Sequence, residues 1–238
     1  MTEAGSNSRL VTLLYRAGIV CLLLMPLSVL AVRLGVHFRI GLLLFAASGL
    51  LASVVIVLLI IASMLPRSRD RRGQVLLKSL PAVPPVLLLS AILSTAGQYP
   101  PIHDITTDTE DPPLFDAGVD YRGEESNTLD IKPDTIAKQI EFYPDLDTVT
   151  TELSPEKAFE RAVGIAEELG WHIYNSDPTN GLIEAEYTSF WFGFKDDIVI
   201  RIRRTDGGSE LDLRSVSRVG VSDLGANAAR IRVFAEKF

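Results

Sequence analysis

The chain has 238 residues and a formal net charge of −7, and 47% of its residues are hydrophobic. Residues 1–96 carry nine Lys/Arg and two acidic residues, whereas residues 97–238 carry fourteen Lys/Arg and twenty-eight acidic residues. A basic apolar part followed by an acidic polar part predicts a membrane anchor joined to a soluble domain. The acidic balance argues against nucleic acid as a partner, because phosphate binding needs a basic surface.

Three apolar segments form the predicted anchor, at about 10–32, 40–65 and 75–96. The second has no charged residue and is longer than the ~20 residues that span a bilayer. The first contains Arg16, whose charge can reach the interface while its stem lies in the apolar layer. A cleaved signal peptide with Arg9 and Arg16 in its basic region is the alternative interpretation of that segment.

The third segment contains Pro81, Pro84 and Pro85 and is predicted to be a kinked helix, broken near Pro84. The lipid bilayer is therefore an expected partner through three helices. The lone cysteine, Cys21, lies in the first segment, so the polar part has neither a disulfide nor a thiol.

The distribution of basic residues predicts the orientation, because Lys and Arg accumulate in cytoplasmic loops. Only Arg33 and Arg39 lie in the loop between the first two segments. The opposite side has seven: Arg9, Arg16, Arg67, Arg69, Arg71, Arg72 and Lys78. We therefore expect a multi-pass protein of the inner (cytoplasmic) membrane, with a cytoplasmic N-terminus and residues 97–238 in the periplasm.

Residues 97–145 are acidic and contain several prolines, which predicts a linker or a solvated, extended strap lying across the domain. The aromatic residues expected to anchor this strap are Phe115, Tyr121, Phe142 and Tyr143.

The strap also contains the potential metal ligands His103, Asp104 and Asp108. Because the sequence identifies no convergent partner for them, we assign no metal site, and we assign no cofactor.

Residues 146–238 are predicted to form a domain with the order β-α-β-β-β-β-α. Ser154 is a capping hydroxyl before Pro155, which predicts a helix that ends at Gly170. A final helix is expected over about 225–237. The predicted strands are Asp147–Leu153, Trp171–Asn175, Leu182–Ser189, Asp197–Arg204 and Ser209–Ser217. The fold class is α+β, a two-layer domain with a largely antiparallel sheet that is polar on one face and covered by two helices on the other.

The turn Thr205-Asp206-Gly207-Gly208 predicts a hairpin and fixes its register. Ile202 is then opposite Leu211 on an apolar face. Two exposed ion pairs lie on the other face, Arg201 with Asp212 and Arg203 with Glu210.

A second hairpin has an aromatic tip at Phe190–Phe194. Alternation along the strands should send some of these rings into the core. A tip this apolar is rarely left in water. We expect the strap to cover it, and contact with the bilayer is the alternative.

Three motifs stand out: Glu184-Ala185-Glu186, Phe194-Lys195-Asp196-Asp197 and, above all, the run from Arg214 to Asn227 together with Arg230. They resemble domain-of-unknown-function family 1499. The resemblance covers roughly residues 100–238. The stretch His103–Thr107 is similar to that of members with N-terminal membrane helices. The family has no assigned activity, so the resemblance implies a domain and leaves the function open.

The run from Arg214 to Arg230 combines a strand end, a glycine-bearing turn and a helix start, where backbone donors attract anions. The residues predicted to bind a phosphate or carboxylate group are Arg214, Ser217, Arg218, Ser222, Asn227 and Arg230. In the competing interpretation these arginines form structural ion pairs with Asp196, Asp197, Glu184 or Asp223.

The expected function is therefore that of a membrane-anchored binding or envelope-interaction module, with an envelope protein or an anionic small molecule as partner. The alternative is a hydrolase-like enzyme that uses carboxylates around Asp196 and Asp197, with Glu184 and Glu186 nearby. Neighbouring strand residues point to opposite faces, so Asp196 and Asp197 cannot share one substrate. Catalytic residues stay unknown.

Overall fold

A computed structural model describes the backbone of residues 3–238 and the side chains from Arg9 onward. The chain divides into two compact units, an N-terminal unit up to Thr95 and a C-terminal unit over Ala96–Phe238. Each is described separately below.

The N-terminal unit is helical. Two of its helices, Arg9–Arg33 and Phe38–Met64, are long and apolar enough to cross a membrane. Its helices are α1 (Glu3–Arg33), α2 (Phe38–Met64), α3 (Arg72–Leu77) and α4 (Val83–Ala96), with 3-10 turns at Pro66–Arg71 and Leu80–Ala82.

The predicted third span is a bent pair of segments, Pro66–Leu77 and Leu80–Ala96, that meet at 43°. The unit therefore has two candidate spans, or three if the bent pair is one broken span. The break lies at Lys78–Ser79, a few residues before the expected site near Pro84. Pro81 sits just after it, in a 3-10 turn, where a residue without an N–H is tolerated.

The C-terminal unit is an α+β domain built on one antiparallel sheet with the strand order β1-β6-β5-β4-β3. The short strand β2 also pairs with β6, beyond β1 on the same edge. The strands are β1 (Asp104–Thr106), β2 (Val149–Thr151), β3 (His172–Asp177), β4 (Leu182–Thr188), β5 (Lys195–Thr205) and β6 (Gly208–Ser217). The helices are α5 (Gly118–Tyr121), α6 (Pro133–Phe142), α7 (Pro155–Glu168) and α8 (Ala226–Lys237).

The order from β2 to α8 is the predicted β-α-β-β-β-β-α. Three elements, β1, α5 and α6, lie in the segment that was expected to be extended. β1 and α5 have only three and four residues, too few to give a periodic pattern in the sequence.

One face of the sheet packs against α7 and α8. Its apolar rows are Ile198, Ile200 and Ile202 of β5, and Leu211 and Leu213 of β6, all of them buried. The helices contribute Phe159 and Ala162 from α7 and Ala228, Ile231 and Phe234 from α8. Ser154 caps α7 by accepting a hydrogen bond from the Lys157 N–H. This face holds the hydrophobic core.

The β5–β6 register is confirmed, because Ile202 is opposite Leu211 and Arg201 is opposite Asp212. The expectation that this charged ladder is exposed is wrong for Arg201 and Asp212, whereas the Arg203 and Glu210 side chains, also paired as expected, are 37% and 28% exposed. Asp212 is fully buried, and Asp108 and Asp111 of residues 97–145 also bind Arg201.

The second face of the sheet is covered by residues 107–131, which we call the cover segment. Phe115 packs there against Val199 and Val216 in a small apolar cluster. Asn127 fastens the segment to the end of β6, because its side chain donates to the carbonyls of Ser217 and Gly220. Of the expected anchors, Phe115 and Tyr143 are buried, whereas Tyr121 and Phe142 are 42% and 48% exposed.

The tip of the β4–β5 hairpin differs from the expectation that the strap covers it. Phe190 is 86% exposed and Trp191 is 52% exposed. Phe192 is buried and stacks on Phe194, with ring centroids 5.2 Å apart. Alternation therefore buries part of the tip, as expected. Its outer two rings reach water because they lie past Thr188, where the pairing of β4 with β5 ends.

Candidate functional site

A chain of charged side chains lies under the cover segment. Glu186 of β4 and Asp197 of β5 are directly opposite each other in the sheet and point to the same face. Arg218 follows the end of β6 and is held beside β5 because its N–H donates to the Lys195 carbonyl. Arg122 comes from the cover segment, one residue after α5.

These side chains alternate in charge. The Lys195 ammonium lies 2.8 Å from Oε1 of Glu186, whose Oε2 lies 2.8 Å from Nη2 of Arg218. Arg218 then donates two hydrogen bonds to Asp197, at 2.9 and 2.7 Å. On the other side, Oδ2 of Asp197 lies 2.9 Å from Nε of Arg122. Three cations are thus joined through two carboxylates.

The chain of charges runs from the surface into the domain. The exposed fraction of the cationic side chain falls from 45% at Lys195 to 12% at Arg218 and 4% at Arg122. Both carboxylates are buried. The chain of charges has one more cation than carboxylates, and part of it lies in a low-dielectric environment, where an unmatched charge is costly.

Arg122 is the buried end of the chain of charges, and its guanidinium lacks hydrogen-bond partners. Within residues 9–238, whose side chains the structure describes, its Nη1 and Nη2 atoms have no hydrogen-bond partner, and its Nε contact with Asp197 lacks hydrogen-bond geometry. Burial lowers the pKa of Arg122, and the nearby Arg218 lowers it further, whereas the charge of Asp197 raises it. An arginine nevertheless stays charged in proteins. Buried polar groups without partners are rare and call for a physical explanation.

Tyr174 supplies a second buried group near Arg122. Its hydroxyl has no hydrogen-bond partner in the described part of the chain. Burial and the charges of Asp197 and Glu184 raise the pKa of Tyr174, so the phenol keeps its proton and can donate it. Tyr174 lies where the β3–β4 register shifts, and such bulges redirect a side chain.

Glu184 and Tyr121 hold these groups in place. Glu184 accepts hydrogen bonds from the N–H groups of Asp116, Ala117 and Gly118 and from Asn175. The rings of Tyr121 and Tyr174 stack with centroids 4.2 Å apart.

The backbone approaches these groups closely at Gly118. A Cβ atom there would lie 2.8 Å from the Tyr174 hydroxyl oxygen and 3.0 Å from Oε1 of Glu184, which is why glycine fits this position.

Arg218 also lies over the Tyr121 ring, with its guanidinium carbon 5.3 Å from the centroid. Burial lowers the pKa of Arg218, but the hydrogen bonds and charge of Asp197 outweigh this effect and hold the pKa above its ordinary value. Arg218 is thus a fixed cation in the chain of charges.

The six residues predicted to bind an anion do not form one cluster. Arg214 is buried on the cover-segment face, where it makes a two-bond ion pair with Asp104 at 2.9 and 2.8 Å. It also donates to the carbonyls of Pro113 and Leu129. Arg214 therefore fastens the cover segment and β1 to the sheet.

Arg230, Asn227 and Ser217 lie together on the helix-covered face. Arg230 donates to Asp196 at 2.6 Å, and its guanidinium carbon lies 4.5 Å from the Tyr187 ring centroid. Asn227 donates to the Ser217 hydroxyl at 2.9 Å. These contacts join α8 to the sheet.

Ser222 is apart from both groups and donates to the Pro100 carbonyl. The adjacent Asp223 accepts from the N–H groups of Gly225 and Asn227 at the start of α8. Burial raises the pKa of Asp223, even though these two hydrogen bonds lower it.

The carboxylates considered for catalysis are engaged in ion pairs. Asp196 binds Arg230 on one face and Asp197 binds Arg218 on the other, as expected for neighbours in a strand. The three potential metal ligands are also separate: Asp104 binds Arg214, Asp108 binds Arg201 and the His103 ring contacts the Val221 carbonyl. No group of three metal-binding side chains is found among the described residues.

Sequence reasoning missed Arg122 and Tyr174. Arg122 lies between Tyr121 and Gly123 in a segment without periodicity, and no motif marks it. The one available signal is that Arg122 is the only Lys or Arg between Gln98 and Ile131, a stretch otherwise rich in acids.

Comparison with protein families gives one match. The model described as "Protein of unknown function (DUF1499)" matches residues 104–238, which include all of β1 to α8 and every residue of the chain of charges. A search of curated proteins finds no match. Since the matched region is more than half of the sequence, the chain belongs to the DUF1499 family.

Proposed function

We propose that the C-terminal unit is a binding module for a small anionic group, and that this group binds at Arg122 and Tyr174. The observation that carries the proposal is the buried guanidinium of Arg122, with two nitrogens that have no hydrogen-bond partner in the described residues. An anion would add a third negative group to the alternating chain from Lys195 to Arg122, which has three cations and two carboxylates.

The chemistry of the two groups selects the ligand class. Two parallel N–H donors of a guanidinium match the two oxygens of a carboxylate or phosphate. The protonated Tyr174 hydroxyl adds a neutral donor. A phosphate monoester or a carboxylate therefore fits better than an uncharged ligand. Arg218 belongs to this site, whereas the contacts of Arg214 and Arg230 favour structural roles.

Calorimetric titration of the full chain in detergent with inorganic phosphate, and separately with acetate, tests the proposal. We expect saturable binding to the wild type and none to Arg122→Met. Arg204→Met is the matched control, because Arg204 forms an exposed ion pair with Glu156 far from the site, and it should bind as the wild type does. Equal binding by Arg122→Met, or no binding of either anion to the wild type, would contradict the proposal.

For the location of this module we propose a multi-pass protein of the inner membrane with residues 97–238 in the periplasm. The excess of basic residues flanking the bent pair favours this orientation, since Lys and Arg accumulate on the cytoplasmic side. A reporter that works only in the periplasm should be active when fused after Phe238. Activity of only a cytoplasmic reporter at that position would reverse the orientation.

A hydrolase that uses the carboxylates around Asp197 is the competing function. Asp197 and Glu186 both form ion pairs with Arg218. Their oxygens already bind cations, so a substrate would have to displace these cations before either carboxylate could act as a general base. No observation favours the hydrolase over the binding module.

A further inference from the structure

The outer rings of the β4–β5 hairpin form an exposed apolar tip. Phe190 and Trp191 are the two residues concerned, and both lie past the last paired residues of the hairpin. Two further exposed apolar side chains, Val221 and Leu224, lie in the loop between β6 and α8. Exposed apolar groups gathered at one end of a domain usually mark an interaction surface.

The sheet register brings these residues to one end of the C-terminal unit. Lys195, the first residue of β5 after the tip, accepts a backbone hydrogen bond from Arg218, which starts the loop after β6. β1 enters the sheet at this same end, because Asp104 pairs with Val216 near the end of β6.

The segment that precedes β1 is fastened to the same loop. The Asp223 N–H donates to the Ile102 carbonyl, and the Ser222 hydroxyl donates to the Pro100 carbonyl. The Tyr99 ring lies directly against Gly225, where a Cβ would be 2.3 Å from a ring carbon. The chain therefore enters the domain at the end that carries the aromatic tip.

The length of this entry segment keeps that end close to a bilayer. Ile102 is six residues after Ala96, the last residue of α4, so the connection can span at most about 20 Å. α4 belongs to the bent pair, which is long and apolar enough for a broken span or a re-entrant loop. With either arrangement the chain leaves the apolar layer near Ala96.

We infer that the tip formed by Phe190 and Trp191 docks on the surface of the bilayer that holds the apolar helices. Tryptophan has an apolar ring system with one N–H donor and is enriched at the head-group level of membranes. Residues 97–238 carry twice as many acidic as basic residues, so an anionic surface would repel them. The occupant that fits is a zwitterionic lipid surface.

Fluorescence of the full chain in phosphatidylcholine nanodiscs tests this inference, because the sequence has only two tryptophans. Trp171 is buried and stacks on Phe234, whereas Trp191 is half exposed. Lipids brominated near the head group quench tryptophans that lie at that depth. We expect strong quenching of the wild type and almost none of Trp191→Phe, in which only Trp171 emits. Trp171→Phe, in which only Trp191 emits, should lose most of its emission.

Equal quenching of the wild type and Trp191→Phe, or Trp191 emission that brominated lipids leave unchanged, would overturn the inference. Because wild type and Trp191→Phe suffice for the comparison, the result does not depend on Trp171→Phe folding.

Discussion

Replacing Arg214 by methionine is expected to lower the free energy of unfolding of the C-terminal unit by about 3–5 kcal/mol, the usual cost of breaking a buried ion pair by removing one partner. Arg214 is almost completely buried. Its loss leaves Asp104 without its two charge-assisted hydrogen bonds and leaves the carbonyls of Pro113 and Leu129 without their donor. The cover segment and β1 should both detach from the sheet.

Denaturant unfolding of the full chain in detergent, followed by the fluorescence of the buried Trp171, measures this effect. Arg204→Met is the matched control, since its ion pair with Glu156 is exposed and solvent screens it, so its unfolding midpoint should stay near that of the wild type. A midpoint for Arg214→Met equal to that of the control would show that Arg214 does not hold the cover segment.

Replacing Arg122 by methionine is expected to change the free energy of unfolding by less than about 1 kcal/mol in anion-free buffer. The desolvation of its charge is not offset by hydrogen bonds from Nη1 and Nη2, so the loss of the side chain costs little. Asp197 keeps its two hydrogen bonds from Arg218. Methionine fills a similar space with an apolar side chain.

The matching change at Arg218 should have a much larger effect. Arg218→Met removes both hydrogen bonds that the buried Asp197 accepts from Arg218 and one of the two cations beside the buried Glu186, so we expect a loss of about 3–5 kcal/mol. Arg218 therefore supports both the fold and the site, whereas Arg122 serves the site alone, and the two variants should differ in stability for that reason. If Arg122→Met were as destabilising as Arg218→Met, Arg122 would be part of the scaffold.

The sequence predicted the hairpins and helices of the domain because their patterns repeat. The register of β5 and β6 follows from the Asp206-Gly207 turn and from apolar residues at alternate positions on both strands. The Ser154-Pro155 start of α7 is a local signal that depends on no distant residue. Such features are specified within a few residues of where they occur.

The cover segment could not be predicted in the same way. Its contacts join residues far apart in the chain, such as Asp108 with Arg203 and Phe115 with Val216, and no period in the sequence reports them. For the same reason the charged ladder was taken to be exposed. The ion pairs of Arg218 with Asp197 and of Arg230 with Asp196 followed the structural interpretation of the conspicuous motif. Arg214 instead binds Asp104, which that interpretation did not name, and Arg122 had no motif at all.

Diffraction from crystals of the full chain grown with selenate, an anion that resembles phosphate and scatters anomalously, tests the anion site most directly. We predict an anomalous peak that places a selenate beside Arg122 and Tyr174. Its oxygens should lie roughly 3 Å from Nη1 and Nη2 of Arg122 and from the Tyr174 hydroxyl. A map without a peak there, in which the Arg122 nitrogens instead donate to protein carbonyls or carboxylates, would contradict this prediction.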